Sequence, residues 1–184
     1  YRMSLFQKSV LNKYLKAQEE HKIVAAFEKL KVYQNNKEHI KEYHEEVFQD
    51  GFVKEIFVDV FGYQLNTIDK EDYNLVREKK NVSDSKKADG AILKEGEVFC
   101  VIELKDTTTK DLTKVETQAF GYQSGHINCN YVIISNFEKL NFYIKNKVDK
   151  IEFNLFTSTL EEFKTIYLCL QADNLLADIP LKVK

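Results

Sequence analysis

The chain has 184 residues, 43% of them hydrophobic and 30% charged, which predicts one folded domain with a sizeable core. A formal net charge of −2 excludes an overall basic field, so any contact with nucleic acid must come from local patches. The sequence has neither an apolar run long enough to span a membrane nor a signal-peptide pattern.

Helical spacing of apolar residues dominates the first 35 residues, with a break expected near Glu20. We therefore predict an N-terminal helical segment over 1–35, followed by the main domain over 36–184. Asn36 is a candidate N-cap for a helix over 37–50, and the helical pattern continues to Phe61, where Gly62 favours its end.

Two neighbouring carboxylates, Glu45 and Glu46, lie on the helix predicted after Asn36. Such a pair is usually a solvated acidic face. The alternative is that one of them turns toward the hairpin described below and completes a metal site.

Residues 64–86 are polar and predict a loop or a short strand. Lysines cluster at its end, and Lys86, Lys87 and, further along, Lys110 are candidates for contacts with DNA phosphates. A charge run of this kind is also compatible with an ordinary solvated face.

The segment from Lys86 to Lys105 predicts a β-hairpin with a turn at Gly96. Because side chains alternate along a strand, Glu103 and Lys105 share one face, while Val98, Cys100, Ile102 and Leu104 share the other. A two-residue turn would pair Asp89 with Ile102, on the wrong face. We predict instead a three-residue loop or a bulge, either of which brings Asp89 opposite Glu103.

Two carboxylates side by side repel each other, and a cation between them stabilises the pair. Oxygen ligands of this kind suit Mg²⁺, for which Mn²⁺ can substitute. Lys105, on the same face, is placed to hold an attacking water or to offset charge on a phosphate. The other interpretation is an exposed strand end with a surface Glu–Lys pair.

A helix is predicted from Asp111, its N-cap, to about Gly125. Gln118 and Tyr122 are four residues apart on this helix and share a face. They either reach over the metal site or pack the helix against a sheet, and Gly121 suggests close packing against a neighbour.

The remaining pattern predicts a buried strand at Asn130–Asn136, reached from the hairpin by a crossover, and two edge strands at Leu140–Ile144 and Lys150–Phe156. A last helix, Leu160–Leu170, has Thr157 or Ser158 as its expected cap. The fold class is therefore α/β, with a mixed sheet flanked by helices. The lysine-rich end suggests a fragment of a larger chain.

The three cysteines, Cys100, Cys129 and Cys169, lie in or beside apolar segments without metal-ligand spacing. They predict buried, reduced thiols in a cytoplasmic protein. Abundant Lys, Asn, Ile and Tyr suggest a bacterial source.

Asp89, then Glu103-Leu104-Lys105, then Gln118-x-x-x-Tyr122 resembles the PD-(D/E)xK nuclease superfamily, including the motor subunits of type I restriction enzymes. From about Asn35 onward, the chain is most similar to the N-terminal cleavage domain of bifunctional type IIG restriction–modification enzymes. Ala88 stands where the family often has proline.

This resemblance implies a restriction-endonuclease-like core and the activity of a type II site-specific deoxyribonuclease on double-stranded DNA. Asp89 and Glu103 would bind Mg²⁺, Lys105 would assist the water, and Gln118 and Tyr122 would support catalysis. Either Glu46 or Glu45 would join the metal.

The same resemblance implies further domains, because such enzymes continue into an S-adenosylmethionine-binding methyltransferase and a DNA-specificity module, for which this sequence has no motif. The resemblance is also compatible with a transient dimer that cleaves both DNA strands. A catalytically inactive, nuclease-fold module for DNA binding or assembly is the competing hypothesis. An unrelated hydrolase is disfavoured because its usual motifs are missing.

Overall fold

The computed structural model describes residues 5–80 and 86–184, and its strands form a six-stranded mixed sheet ordered as in the sequence. The strands are Leu75–Lys80 (β1), Lys87–Lys94 (β2), Glu97–Leu104 (β3), Tyr131–Ser135 (β4), Lys139–Ile144 (β5) and Lys150–Asn154 (β6). Strands β3 and β4 pair in parallel, and the other neighbours pair antiparallel. The predicted crossover and the edge hairpin are confirmed.

Helices cover both faces of the sheet, which confirms the predicted fold class. They are Lys8–Ala17 (α1), Glu20–Asn35 (α2), Lys37–Ile40 (α3), Glu45–Phe52 (α4), Glu116–Gln123 (α5), Leu160–Leu170 (α6), Ala172–Leu176 (α7) and Ile179–Val183 (α8). A π-helical segment, Val53–Val60, extends α4, and a 3₁₀ turn, Leu112–Val115, precedes α5. Across the described chain, no helix combines the length and apolar character needed to cross a membrane.

Two hydrophobic clusters lie on opposite faces of the sheet. The larger one joins the N-terminal helices, α4, the π-helical segment and α6–α8 to one face, through residues such as Ile102 and Leu104. The smaller one joins α5 to the other face, through residues such as Val101 and Ala119. The sheet is therefore buried on both sides, as the apolar β4 sequence predicts.

The helical N-terminus agrees with the prediction, since the break between α1 and α2 falls at residues 18–19. The first four residues of the predicted segment lie outside the described residues. The continuous helix predicted over 37–50 is wrong, because the chain leaves helical geometry at 41–44. There the Thr107 hydroxyl donates to the Lys41 carbonyl, and Asp106 accepts from the Glu45 amide, so a distant loop sets the start of α4.

The last long helix, α6, has the predicted bounds but a different cap. Thr159, rather than Thr157 or Ser158, accepts from the Glu162 amide, and the Glu162 side chain accepts from the Thr159 amide. Ser158 also has a glutamate three residues later, but its hydroxyl donates to the Asn154 carbonyl, so the reciprocal capping box forms at Thr159. All three cysteines are free and buried, as predicted.

Candidate active site

A bulge in the β2–β3 hairpin brings Asp89 and Glu103 opposite each other. The turn is the short one, with Lys94 paired to Glu97, but the register shifts between Ile92 and Leu93 because Phe99 is the extra residue of β3. Gly90 consequently pairs with Ile102, and the next position along places Asp89 beside Glu103. Of the two predicted geometries, the bulge is confirmed and the three-residue loop is absent.

The same bulge changes which face one apolar residue occupies. Cys100 and Ile102 lie in the larger cluster, as predicted, whereas Val98 lies in the smaller one with Val101. The prediction that Val98 shares a face with Cys100 is wrong, because the extra residue between them inverts the alternation.

Beyond Gly90 and Ile102 the two strands stop pairing, and the Asp89 carboxylate occupies the space between them. Its Oδ2 accepts a hydrogen bond from the Leu104 amide at 2.7 Å. The side chain thus takes the place of a missing backbone acceptor, which fixes the carboxylate at the diverging strand ends.

Glu103 is 1% exposed, and in the described chain its Oε1 has no hydrogen-bond partner. Burial, together with the charge of Asp89 and a hydrogen bond to it, raises the pKa of Glu103 to about 9, while Lys105 opposes the shift. A buried carboxylate oxygen normally has a protein donor, an ordered water or an ion as its partner. A divalent cation fits this environment, since it would supply the missing positive charge to both carboxylates.

Lys105 follows β3 and lies near a carboxylate of α4, its Nζ 3.9 Å from Glu45 Oε1. Glu45 Oε1 also accepts from the Gln49 side chain at 3.1 Å. Burial raises the pKa of Glu45, and Asp89 adds to the increase, whereas Lys105 opposes it. The cluster therefore contains Asp89, Glu103, Lys105 and Glu45.

The helix carboxylate that lies in this cluster is Glu45, whereas Glu46, the other candidate, lies outside it. Glu46 is exposed. Its neighbour is drawn inward because Asp106 accepts from the Glu45 amide and fixes the first turn of α4. Sequence periodicity cannot choose between adjacent residues when the helix start depends on a loop 61 residues away.

Gln118 and Tyr122 lie on α5, on the side of the sheet that carries Asp89 and Glu103, but they differ in exposure. Tyr122 is 1% exposed and packs in the smaller cluster with Ala119, which is the packing role considered for it. Gln118 is exposed.

The three candidate lysines are exposed. Lys86 Nζ lies 3.6 Å from where a Cβ on Gly121 would stand, so the glycine does border a neighbouring side chain. Lys87 Nζ lies 3.7 Å from Glu78, and Lys110 lies in the loop after β3.

Sequence reasoning missed Arg77, which lies on β1 and binds α4 and the Asp89 backbone at once. It also missed Gln49, which links Arg77 to Glu45. The available signal was Arg77 itself, one of two arginines in a lysine-rich chain.

The donor set around Asp89 is suited to a metal that keeps several waters. Among the described residues, no group of three or more His, Cys, Asp or Glu is arranged to hold a metal ion. Mg²⁺ is often bound by only one or two protein carboxylates, which Asp89 and Glu103 can provide. Glu45 lies next to this pair, beside Lys105.

When the chain is compared with known protein families, residues 44–158 match the family described as type I restriction enzyme R protein N terminus. The match covers more than half of the chain and contains the whole cluster around Asp89. No curated protein and no solved structure matches the chain. The chain therefore belongs to the type I restriction enzyme R protein N-terminal family, and its cluster of acidic residues and Lys105 lies in a restriction-enzyme, nuclease-like N-terminal domain.

Proposed function

We propose that this chain is a Mg²⁺-dependent DNA endonuclease module of the PD-(D/E)xK class, which hydrolyses phosphodiester bonds within a restriction system. The observation that carries the proposal is the convergence of Asp89, Glu103 and Lys105 around a buried Glu103 oxygen that has no hydrogen-bond partner among the described residues. The family match supplies the context of a restriction enzyme.

In this proposal Asp89 and Glu103 hold the metal, which when bound lowers the pKa of a water and stabilises charge on the phosphate. The Leu104 amide keeps the Asp89 carboxylate in place. Lys105 is free to approach the attacking water or the phosphate, because its contact with Glu45 is long and the side chain is partly exposed. Glu45 orients the Lys105 ammonium.

Gln118 is proposed to contact the DNA backbone, since it is exposed on α5, which packs on the face of the sheet that carries Glu103. Tyr122 is proposed to support the site by packing α5 against the sheet. Lys86, Lys87 and Lys110 are proposed to provide counter-charge for phosphates of double-stranded DNA.

The finer assignment, to the cleavage domain of a type IIG enzyme with type II site-specific activity, rests on the sequence resemblance. It implies methyltransferase and specificity modules elsewhere in the parent enzyme, and S-adenosylmethionine belongs to the former. Sequence-specific cleavage by a longer protein that includes such modules would support it.

The test is nicking of supercoiled plasmid in Mg²⁺ or Mn²⁺, comparing the chain with Lys105→Ala. Lys94→Ala is the matched control, because Lys94 is exposed at the opposite end of the same hairpin. We expect nicking that requires metal, is lost in Lys105→Ala and persists in Lys94→Ala. Metal-dependent nicking that survives Lys105→Ala would contradict the role of this residue.

A catalytically inactive module for DNA binding or assembly is the competing function. It would be favoured by an Asp89 remote from Glu103 or by a Lys105 held in a tight ion pair. Asp89 lies beside Glu103 instead, and the Lys105–Glu45 distance of 3.9 Å is long for a tight pair. Plasmid binding without nicking, by a chain that also fails to bind metal, would favour the inactive module.

A further inference from the structure

Arg77 makes three hydrogen bonds that join β1 to two other elements. Its Nε donates to Asp50 at 3.0 Å, its Nη2 donates to Gln49 at 2.9 Å, and its Nη1 donates to the backbone carbonyl of Asp89. The side chain is 15% exposed, whereas Asp50 is 91% exposed. The bonds to Gln49 and Asp89 therefore form the buried part of the network.

The Asp89 carbonyl that Arg77 binds lies opposite Glu78, where β1 departs from regular strand geometry. Arg77 pairs with Gly90 and Lys79 pairs with Ala88, but the intervening Glu78, opposite Asp89, is unpaired and has a φ of 52°. A non-glycine residue with this φ is strained, and such strain persists where surrounding contacts hold it. Arg77 supplies one such contact by donating to the Asp89 carbonyl.

On the side of α4, Arg77 is linked through Gln49 to the carboxylate of Glu45. Gln49 is 8% exposed, and its Oε1 accepts from Arg77 while its Nε2 donates to Glu45 Oε1 at 3.1 Å. Because Gln49 uses both ends of its amide, the position of Glu45 depends on the guanidinium. The connected series runs from the Asp89 backbone through Arg77 and Gln49 to Glu45, and ends at Lys105.

We propose that Arg77 is a positioning residue that holds Asp89 and the Gln49–Glu45 pair at a fixed separation, so that the acidic cluster and Lys105 converge. This role rests on the proposed nuclease function. Arg77 acts through these groups and leaves the reacting atoms to them. Its planar fork is required, since lysine keeps the charge but cannot direct three donors to fixed acceptors.

The test compares Arg77→Lys, Gln49→Leu and the double variant in single-turnover plasmid nicking, with Tm measured in parallel. We expect each single variant to lower the maximal rate about 10- to 100-fold, with the DNA concentration for half-maximal rate unchanged. The double variant should be no slower than the slower single one, because both break the same series of bonds.

Asp50→Asn is the matched control, since it removes only the charge of the solvent-exposed partner of Arg77. It should remain within about twofold of the unmodified chain. The proposal is overturned if Arg77→Lys keeps its rate, if Asp50→Asn is equally slow, or if the two single effects multiply in the double variant.

Hydrogen exchange in the metal-free chain tests the positioning role of Arg77 independently of nuclease activity. In Arg77→Lys, amides of 45–50 and 87–91 should exchange faster while those of β5 stay unchanged, and Asp50→Asn should leave all three segments unchanged. If the unmodified chain neither nicks plasmid nor binds metal, the nuclease proposal fails. Exchange alone then decides whether Arg77 holds α4 and Asp89 together, and unchanged exchange in Arg77→Lys refutes it.

Discussion

Replacing Glu103 by glutamine should stabilise the metal-free protein above neutral pH. In the fold, burial and Asp89 raise the pKa of Glu103 to about 9, whereas an unfolded glutamate titrates near 4.3. Between these two pH values Glu103 is protonated in the folded protein and ionised in the unfolded chain, so folding takes up a proton. The contribution of Glu103 to the free energy of unfolding is therefore complete below the unfolded pKa and is lost as the pH rises toward 9.

The size of this loss follows from the linkage relation, at about 1.4 kcal/mol for each pH unit. From pH 5 to pH 8 the free energy of unfolding should fall by up to about 4 kcal/mol because of Glu103 alone. Glutamine cannot ionise, and its amide can still donate a hydrogen bond to Asp89. At pH 8, Glu103→Gln should therefore raise the free energy of unfolding by up to about 4 kcal/mol.

Urea unfolding in EDTA at pH 5 and pH 8 measures this effect in both proteins. Glu152→Gln is the matched control, because Glu152 lies exposed on β6 in the same sheet. Its stability should stay within about 0.5 kcal/mol of the unmodified chain at both pH values. The reasoning is refuted if Glu103→Gln loses as much stability between pH 5 and pH 8 as the unmodified chain does.

Three further predictions follow from the same geometry. Mg²⁺ at 100 times its Kd should stabilise the unmodified chain at pH 8 by about 2.7 kcal/mol in thermal unfolding, and Asp89→Asn should abolish this gain; an equal gain in both would place the metal elsewhere. Glu45→Gln should slow plasmid nicking about tenfold by releasing Lys105, whereas Glu46→Gln should not, and equal effects would contradict the choice of Glu45. Thr159→Ala should cost about 1 kcal/mol in urea unfolding by removing the capping box, while the exposed Thr157→Ala should cost less than half of that; equal costs would argue against the cap.

Local patterns in the chain were sufficient to predict most of the elements. The apolar run of β4, the spacing in α6 and the break between α1 and α2 each reflect interactions within one segment, so their periodicity appears directly in the sequence. The same holds for Asp89 and Glu103, because a hairpin with a short turn leaves few registers to consider, and only a bulge or a longer loop puts both on one face.

Contacts between segments far apart in the chain decided the rest. The start of α4, and with it the choice of Glu45 over Glu46, depends on Asp106 in the loop after β3. The links from Arg77 to Gln49 and to the Asp89 backbone span 28 and 12 residues. No spacing rule connects such residues, since their proximity arises only when β1, α4 and the hairpin pack together. The sequence alone was therefore sufficient to identify Asp89, Glu103 and Lys105 as candidate reactive groups. Tertiary packing determined which side chains hold them in place.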